Sequence, residues 1–246
     1  MALVALAACA PQIKDAPIPA SGLGPLTGKV FGNCQGALIV LLHGDISRGG
    51  AADYMHSQAS TLSSLHPDAT VLSMLRPGYY DSEGRQSPGS NNGRRDHYTA
   101  ENNAAVADTI ANFAAARGID RVIAVGHSGG AATLGNVIGQ RPGLVDGAVL
   151  ISCPCEIGKW RASNNRSRWP TSQSPIDAVS GVDPATVIIA ITGANDSNTR
   201  PFLAEDYVAA AKARGLNASV QIVSGAGHGF RALSAPMKTA VAALLN

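Results

Sequence analysis

Short uninterrupted runs of β-branched and leucine residues alternate with longer alanine-rich stretches of helical period along this chain, which restricts it to a parallel sheet covered by helices. The strand-like runs fall at residues 37–42, 70–75, 121–125, 148–152, 186–192 and 219–223. None shows the alternating polarity of a sheet with one wet face, so each is expected to be a central strand buried on both faces. Residues 100–117 read as a helix, with Thr99 placed as its cap, Glu101 in its first turn and Gly118 as its stop. Residues 131–138, 201–214 and 232–245 read as further helices, and Gly215 ends the segment that begins at Pro201. The expected architecture is α/β and doubly wound, a mostly parallel sheet with helices on both faces.

The 246 residues suffice for one such domain, expected over 26–246 after a leader and a Pro-, Ala- and Gly-rich tether at 1–25. A formal net charge of +2 supplies no global field for nucleic acid or a membrane surface, so the expected partner is a small molecule. The apolar run 1–9 is too short to span a bilayer. Its end, Leu6-Ala7-Ala8-Cys9, resembles the lipobox of bacterial lipoproteins, which implies export to the periplasm or membrane anchoring through a lipidated Cys9. The alternative is a plain apolar tail on a cytoplasmic protein. Cys34, Cys153 and Cys155 match neither zinc nor Cys-x-x-Cys redox spacing, so neither a metal nor a cofactor is expected. Two readings stand for these cysteines: a disulfide from Cys34 to Cys153 or Cys155, or buried small hydrophobes.

The run ending at Val125 leads into Gly126-His127-Ser128-Gly129-Gly130, followed by the helical segment at 131–138. Glycines flanking a serine at a strand-to-helix turn allow a strained bend that projects the hydroxyl, which marks Ser128 as a candidate nucleophile. A serine hydroxyl needs a base to take its proton and an acid to orient that base. Asp196 follows the strand at 186–192, and His228 follows the strand at 219–223. Asp177 and Asp183 are rival acids, but they precede the strand. Two backbone amides are expected to face the developing oxyanion, those of Gly129 and of Asp45 in His43-Gly44-Asp45. His43 lies before the serine, in the oxyanion loop, and is expected to pack structurally.

Together Leu41-Leu42-His43-Gly44-Asp45, Arg76-Pro77-Gly78-Tyr79, the Ser128 turn, the Asp196 loop and Gly227-His228-Gly229 resemble the α/β-hydrolase superfamily. Within it the chain is similar to the branch of dienelactone hydrolases and prolyl oligopeptidase catalytic domains. The resemblance implies the fold and Ser128, Asp196 and His228 as nucleophile, acid and base. Two departures limit it: only a short tail stands where a propeller would precede a prolyl oligopeptidase domain, and serine stands where dienelactone hydrolases carry cysteine.

Two segments, 76–96 and 153–175, break the alternation after strand ends and should lie over the carboxyl edge of the sheet, where ligands bind. The second is expected to be a loop able to act as a lid, with Trp160 and Arg161 meeting an apolar, anionic substrate beside Tyr79. The alternative is a solvated loop whose tryptophans pack on the body, with Arg76, Arg85, Arg94 and Arg95 as surface charges. The expected function is hydrolysis of a carboxylic ester through an acyl-enzyme. Peptide or amide hydrolysis uses the same machinery, and a binding protein on a retired scaffold is the alternative of a different class.

Overall fold

The computed structural model of the chain describes residues 25–246. The leader, the lipobox-like run and Cys9 lie outside those residues. In chain order the elements are β1 (Gly28–Phe31), β2 (Ala37–Leu42), α1 (Tyr54–Leu65), β3 (Ala69–Met74), α2 (Ala100–Arg117), β4 (Val122–His127), α3 (Gly129–Gln140), β5 (Gly147–Ile151), α4 (Ile157–Ser163), α5 (Pro175–Ala178), β6 (Val187–Gly193), α6 (Pro201–Ala213), β7 (Ala218–Val223) and α7 (Phe230–Leu245). They build a seven-stranded sheet in the order β1-β3-β2-β4-β5-β6-β7. Every pair is parallel except β1 with β3. This is the α/β-hydrolase fold, with α2, α3 and α6 packing Phe113, Leu134 and Tyr207 on one face, and α1 and α7 packing Leu62 and Met237 on the other.

Thr99 caps α2 by accepting the Asn102 amide, and Gly118 ends it in the left-handed region with φ 62°. Outside the long segment at 153–175, three elements differ from the sequence reading. β1 is a four-residue edge strand and α1 a serine-rich helix with four buried residues, so neither carries a strong apolar period. β7 is no central strand: it forms the far edge, and Ile222 on it is 38% exposed. Its apolar residues are divided between the faces, Ala218 and Val220 on one and Val223 on the other, and the two valines are only half-buried.

The 153–175 segment is not structureless. It opens with a disulfide between Cys153 and Cys155, continues as α4 and reaches Pro175, the first residue of α5. Those two cysteines bond to each other, so the expected bridge from Cys34 to either of them is not formed. The segment is also tied down. The Asp96 carboxylate accepts the amides of Thr171 and Ser172, and Gln173 N–H donates to the Tyr98 carbonyl.

Replacing Phe113 by alanine, which empties a fully buried site beneath α2, should cost about 3–5 kcal/mol in urea denaturation. Ile222→Ala on the open edge should cost under about 0.5 kcal/mol.

Candidate active site

β4 runs directly into the turn at Ser128, and α3 begins at the next residue. Ser128 has φ 53° and ψ −119°, a conformation that side-chain-bearing residues rarely adopt and that costs about 1–3 kcal/mol. Gly126 permits it, because a β-carbon there would meet the Gly130 carbonyl as α3 folds back on β4. Gly129 has a different reason. A β-carbon there would meet the Asp45 carboxylate and come within 2.8 Å of the Tyr98 hydroxyl, so the oxyanion loop closes onto the turn only over a bare backbone.

His228, in the loop after β7, places Nε2 3.1 Å from Ser128 Oγ and Nδ1 2.9 Å from Asp196 Oδ2. Asp196 also accepts the Asn198 and Thr199 amides and the Thr199 hydroxyl at 3.0, 2.8 and 2.7 Å. Burial pushes the Asp196 carboxyl up, but the hydrogen bond and charge of His228, with the Thr199 donors, outweigh it and hold the group below the usual carboxylate range. A hydroxyl, an imidazole and an ionised carboxylate in this order can move a proton off the serine oxygen. Thr199, also 2.9 Å from His228 Nδ1, escaped the sequence reading. An aspartate followed three residues later by threonine is a local capping pattern, and that was its available signal.

On the other side of Ser128 the oxyanion loop is held by a buried ion pair. Arg76 donates to Asp45 Oδ1 at 2.8 Å, Tyr98 donates to Asp45 Oδ2 at 2.5 Å, and His97 Nε2 lies 3.3 Å from Oδ1. Desolvation opposes the Asp45 charge, yet the His97 hydrogen bond and the Arg76 guanidinium keep its carboxyl far below the normal range. The Asp45 and Gly129 amides make no hydrogen bond among the described residues, and so are free to meet an incoming oxygen. Arg76 is therefore no surface charge: it is 1% exposed. Tyr79 is fully buried and donates its hydroxyl to the Asp45 carbonyl at 2.8 Å, which corrects its expected place against substrate and makes it a support of the loop.

A chain of neutral donors links the two sides. Because a carbonyl can only accept, the 3.0 Å contact of His127 Nε2 with the His228 carbonyl requires the proton on Nε2. Burial and the neighbouring His228 push His127 down to about 4, so its Nδ1 accepts from the Tyr54 hydroxyl at 2.7 Å. Tyr54 in turn accepts the Gly44 amide at 2.6 Å. His43 packs structurally as expected: it takes the Arg76 amide on Nε2 at 3.0 Å and donates from Nδ1 to the Gly44 carbonyl. Tyr54 and His127 gave no sequence signal beyond adjacency, since their partnership depends on α1 lying over the turn.

Of the remaining candidates, Trp160 is 4% exposed, in edge contact with Trp169 in a cluster with Tyr98 and Leu203, as the packing alternative expected. Arg161 lies over Trp169 at 4.7 Å. Asp177 sits in α5, and Asp183 bonds within its own turn, so neither joins His228. Among the described residues, no group of three or more His, Cys, Asp or Glu is placed to hold a metal ion, and no helix is long and apolar enough to cross a membrane.

Because folding depresses the His127 pKa, the unfolded chain binds its proton first, and the stability held above about pH 6.5 is lost as pH falls towards 4. That loss should be on the order of 3 kcal/mol and should shrink in His127→Gln, read from urea midpoints across this range. Tyr54→Phe should cost about 1–3 kcal/mol at neutral pH by leaving Gly44 N–H and His127 Nδ1 unpaired.

A family model described as the alpha/beta hydrolase family matches residues 39–175, more than half of the chain. No curated protein matches it in sequence. Among solved structures, an esterase of Pyrococcus furiosus superposes with a TM-score of 0.70 at 14% identity, covering 94% of this chain and 89% of that one. A Paleococcus ferrophilus monoacylglycerol lipase gives 0.65 at 16% identity over 89% and 98%. An acylaminoacyl peptidase gives 0.71 at 13% identity over 90% of this chain but 39% of its own. With fold, site geometry and family match in agreement, the chain belongs to the alpha/beta hydrolase family.

Proposed function

We propose that the chain is a serine hydrolase that cleaves a carboxylic ester through an acyl-enzyme formed on Ser128. The observation that carries this reading is the relay from Ser128 Oγ to His228 Nε2 at 3.1 Å and from His228 Nδ1 to Asp196 at 2.9 Å, set at a strained turn. Ser128 Oγ attacks the acyl carbon while its proton passes to His228 Nε2, and Asp196 stabilises the imidazolium. The amides of Gly129 and Asp45 receive the oxyanion. His228 returns the proton to the leaving oxygen, and water then releases the acid by the same steps in reverse. Each interaction acts at the reacting atoms, and none distinguishes ester from amide. The esterase and lipase among the structural neighbours make the ester the first choice.

Export accompanies this reading. The Cys153–Cys155 disulfide suits an oxidising compartment, and Leu6-Ala7-Ala8-Cys9 offers a site for lipid attachment. A globomycin-sensitive precursor in the bacterial host is the expected result, and unchanged processing would count against the anchor.

A fluorophosphonate probe should label the folded protein and fail to label Ser128→Ala. Asp196→Asn should keep the fold and lower kcat on simple esters about 10⁴-fold. An unlabelled, well-folded wild-type protein would sink the enzyme reading in favour of a binding scaffold.

A further inference from the structure

Arg95, Arg161, Arg166 and Arg168 come from the two long segments that flank the site, and among the described residues none has a carboxylate within 4 Å. The acids near them are engaged elsewhere. Asp96 accepts the Thr171 and Ser172 amides, Glu156 and Asp206 share Lys159, and Asp45 faces Arg76. Arg161 is held in place: its guanidinium lies over Trp169 at 4.7 Å and Trp160 at 5.5 Å, and its Nε donates to the Ser167 carbonyl at 2.8 Å. Both of its terminal nitrogens stay free of hydrogen bonds among the described residues. Partial burial, then the charges of Arg166 and Arg95, push its pKa down, and the opposing pull of Tyr98 and Asp96 does not offset them.

Arg166 reaches the catalytic histidine through one residue. Arg166 donates to Asn198 Oδ1 at 3.3 Å, and Asn198 Nδ2 is 3.4 Å from His228 Nε2, the nitrogen that faces Ser128. Asn164 Nδ2 bonds the carbonyls of both Trp160 and Asn198 at 2.8 Å, which pins α4 to the acid loop. Arg166 thus stands one residue away from the nitrogen with which His228 would return a proton to the departing oxygen.

We infer that Arg161 and Arg166, with the charge of Arg95 beside them, bind an anionic group, carboxylate or phosphate, carried by the leaving-group portion of the substrate. This rests on the serine hydrolase reading above. A guanidinium fork donates two parallel hydrogen bonds to either anion, and a bound anion relieves the repulsion among the arginines. Lys159, by contrast, is spent on Glu156 and Asp206 and takes no part.

The test compares kcat/KM for 4-acetoxybenzoate and 4-acetoxyphenyl phosphate with that for the neutral methyl 4-acetoxybenzoate, all three releasing acetate from a phenol. Relative to the neutral ester, the anionic esters should lose about tenfold in the Arg161→Gln/Arg166→Gln double variant. Part of the preference should survive in Arg161→Lys/Arg166→Lys, which keeps the charges but loses the fork, and in the wild type it should weaken as sodium chloride is raised. The anion with the larger loss is the one the site is built for. An unchanged ratio in the glutamine variant, or an equal loss on all three esters, overturns the inference while fluorophosphonate labelling of Ser128 leaves the hydrolase reading standing. Failure of both labelling and turnover overturns the two together.

Discussion

The left-handed backbone at Ser128 is the constraint on which the rest of the molecule is arranged. A β4 that simply continued would bury the hydroxyl in the sheet. The bend turns it outward, and only the closeness of α3 to β4 keeps the bend from relaxing. That closeness needs the glycine at 126. The backbone at Leu42 and His43, pressed against Gly130, and the Asp45 carboxylate, pressed against Gly129, then complete the vice. The parallel order of β2, β4, β5 and β6 carries the serine, the oxyanion loop and the acid loop to one sheet edge, so the sheet's register is also the register of the site.

The Asp45–Arg76 pair is the second device. A lone buried carboxylate beside a developing oxyanion would repel it. Arg76 neutralises it at 2.8 Å, Tyr98 donates to its other oxygen, and His97 Nε2 lies 3.3 Å away. The pair therefore fixes the loop after β2 beside Ser128 without leaving an uncompensated negative charge there. Tyr79 adds a neutral support from below.

Much of the fold was legible because its central strands and α2 announce themselves by uninterrupted apolar runs and by clear caps such as Thr99 and Gly118. The elements that escaped have weak patterns for a physical reason: β1 and β7 are edges, and α1 buries one narrow stripe. Ser128, Asp196 and His228 were legible because each follows a strand end in a glycine-marked turn. Tyr54, Arg76 and Thr199 were not, since their roles arise from contacts between segments and not from spacing. Arg76 is the sharpest case: an arginine in a polar, glycine-rich stretch reads as solvent-facing, and only the presence of Asp45 across the site pulls it inside. The cysteines illustrate the same limit, for a spacing of two permits the Cys153–Cys155 bridge without announcing it.

The chain from Gly44 through Tyr54 and His127 to the His228 carbonyl has a direction. Its first donor is a backbone amide and its last acceptor a backbone carbonyl, so the protons between them have a single arrangement with no mirror-image alternative. Many buried hydroxyl–imidazole networks can flip as a unit and store two near-equal states. This one behaves as a ratchet with its pawl engaged. The segment bearing His228 and the segment bearing Asp45 cannot drift apart independently, and any opening of one wall of the site must be felt at the other.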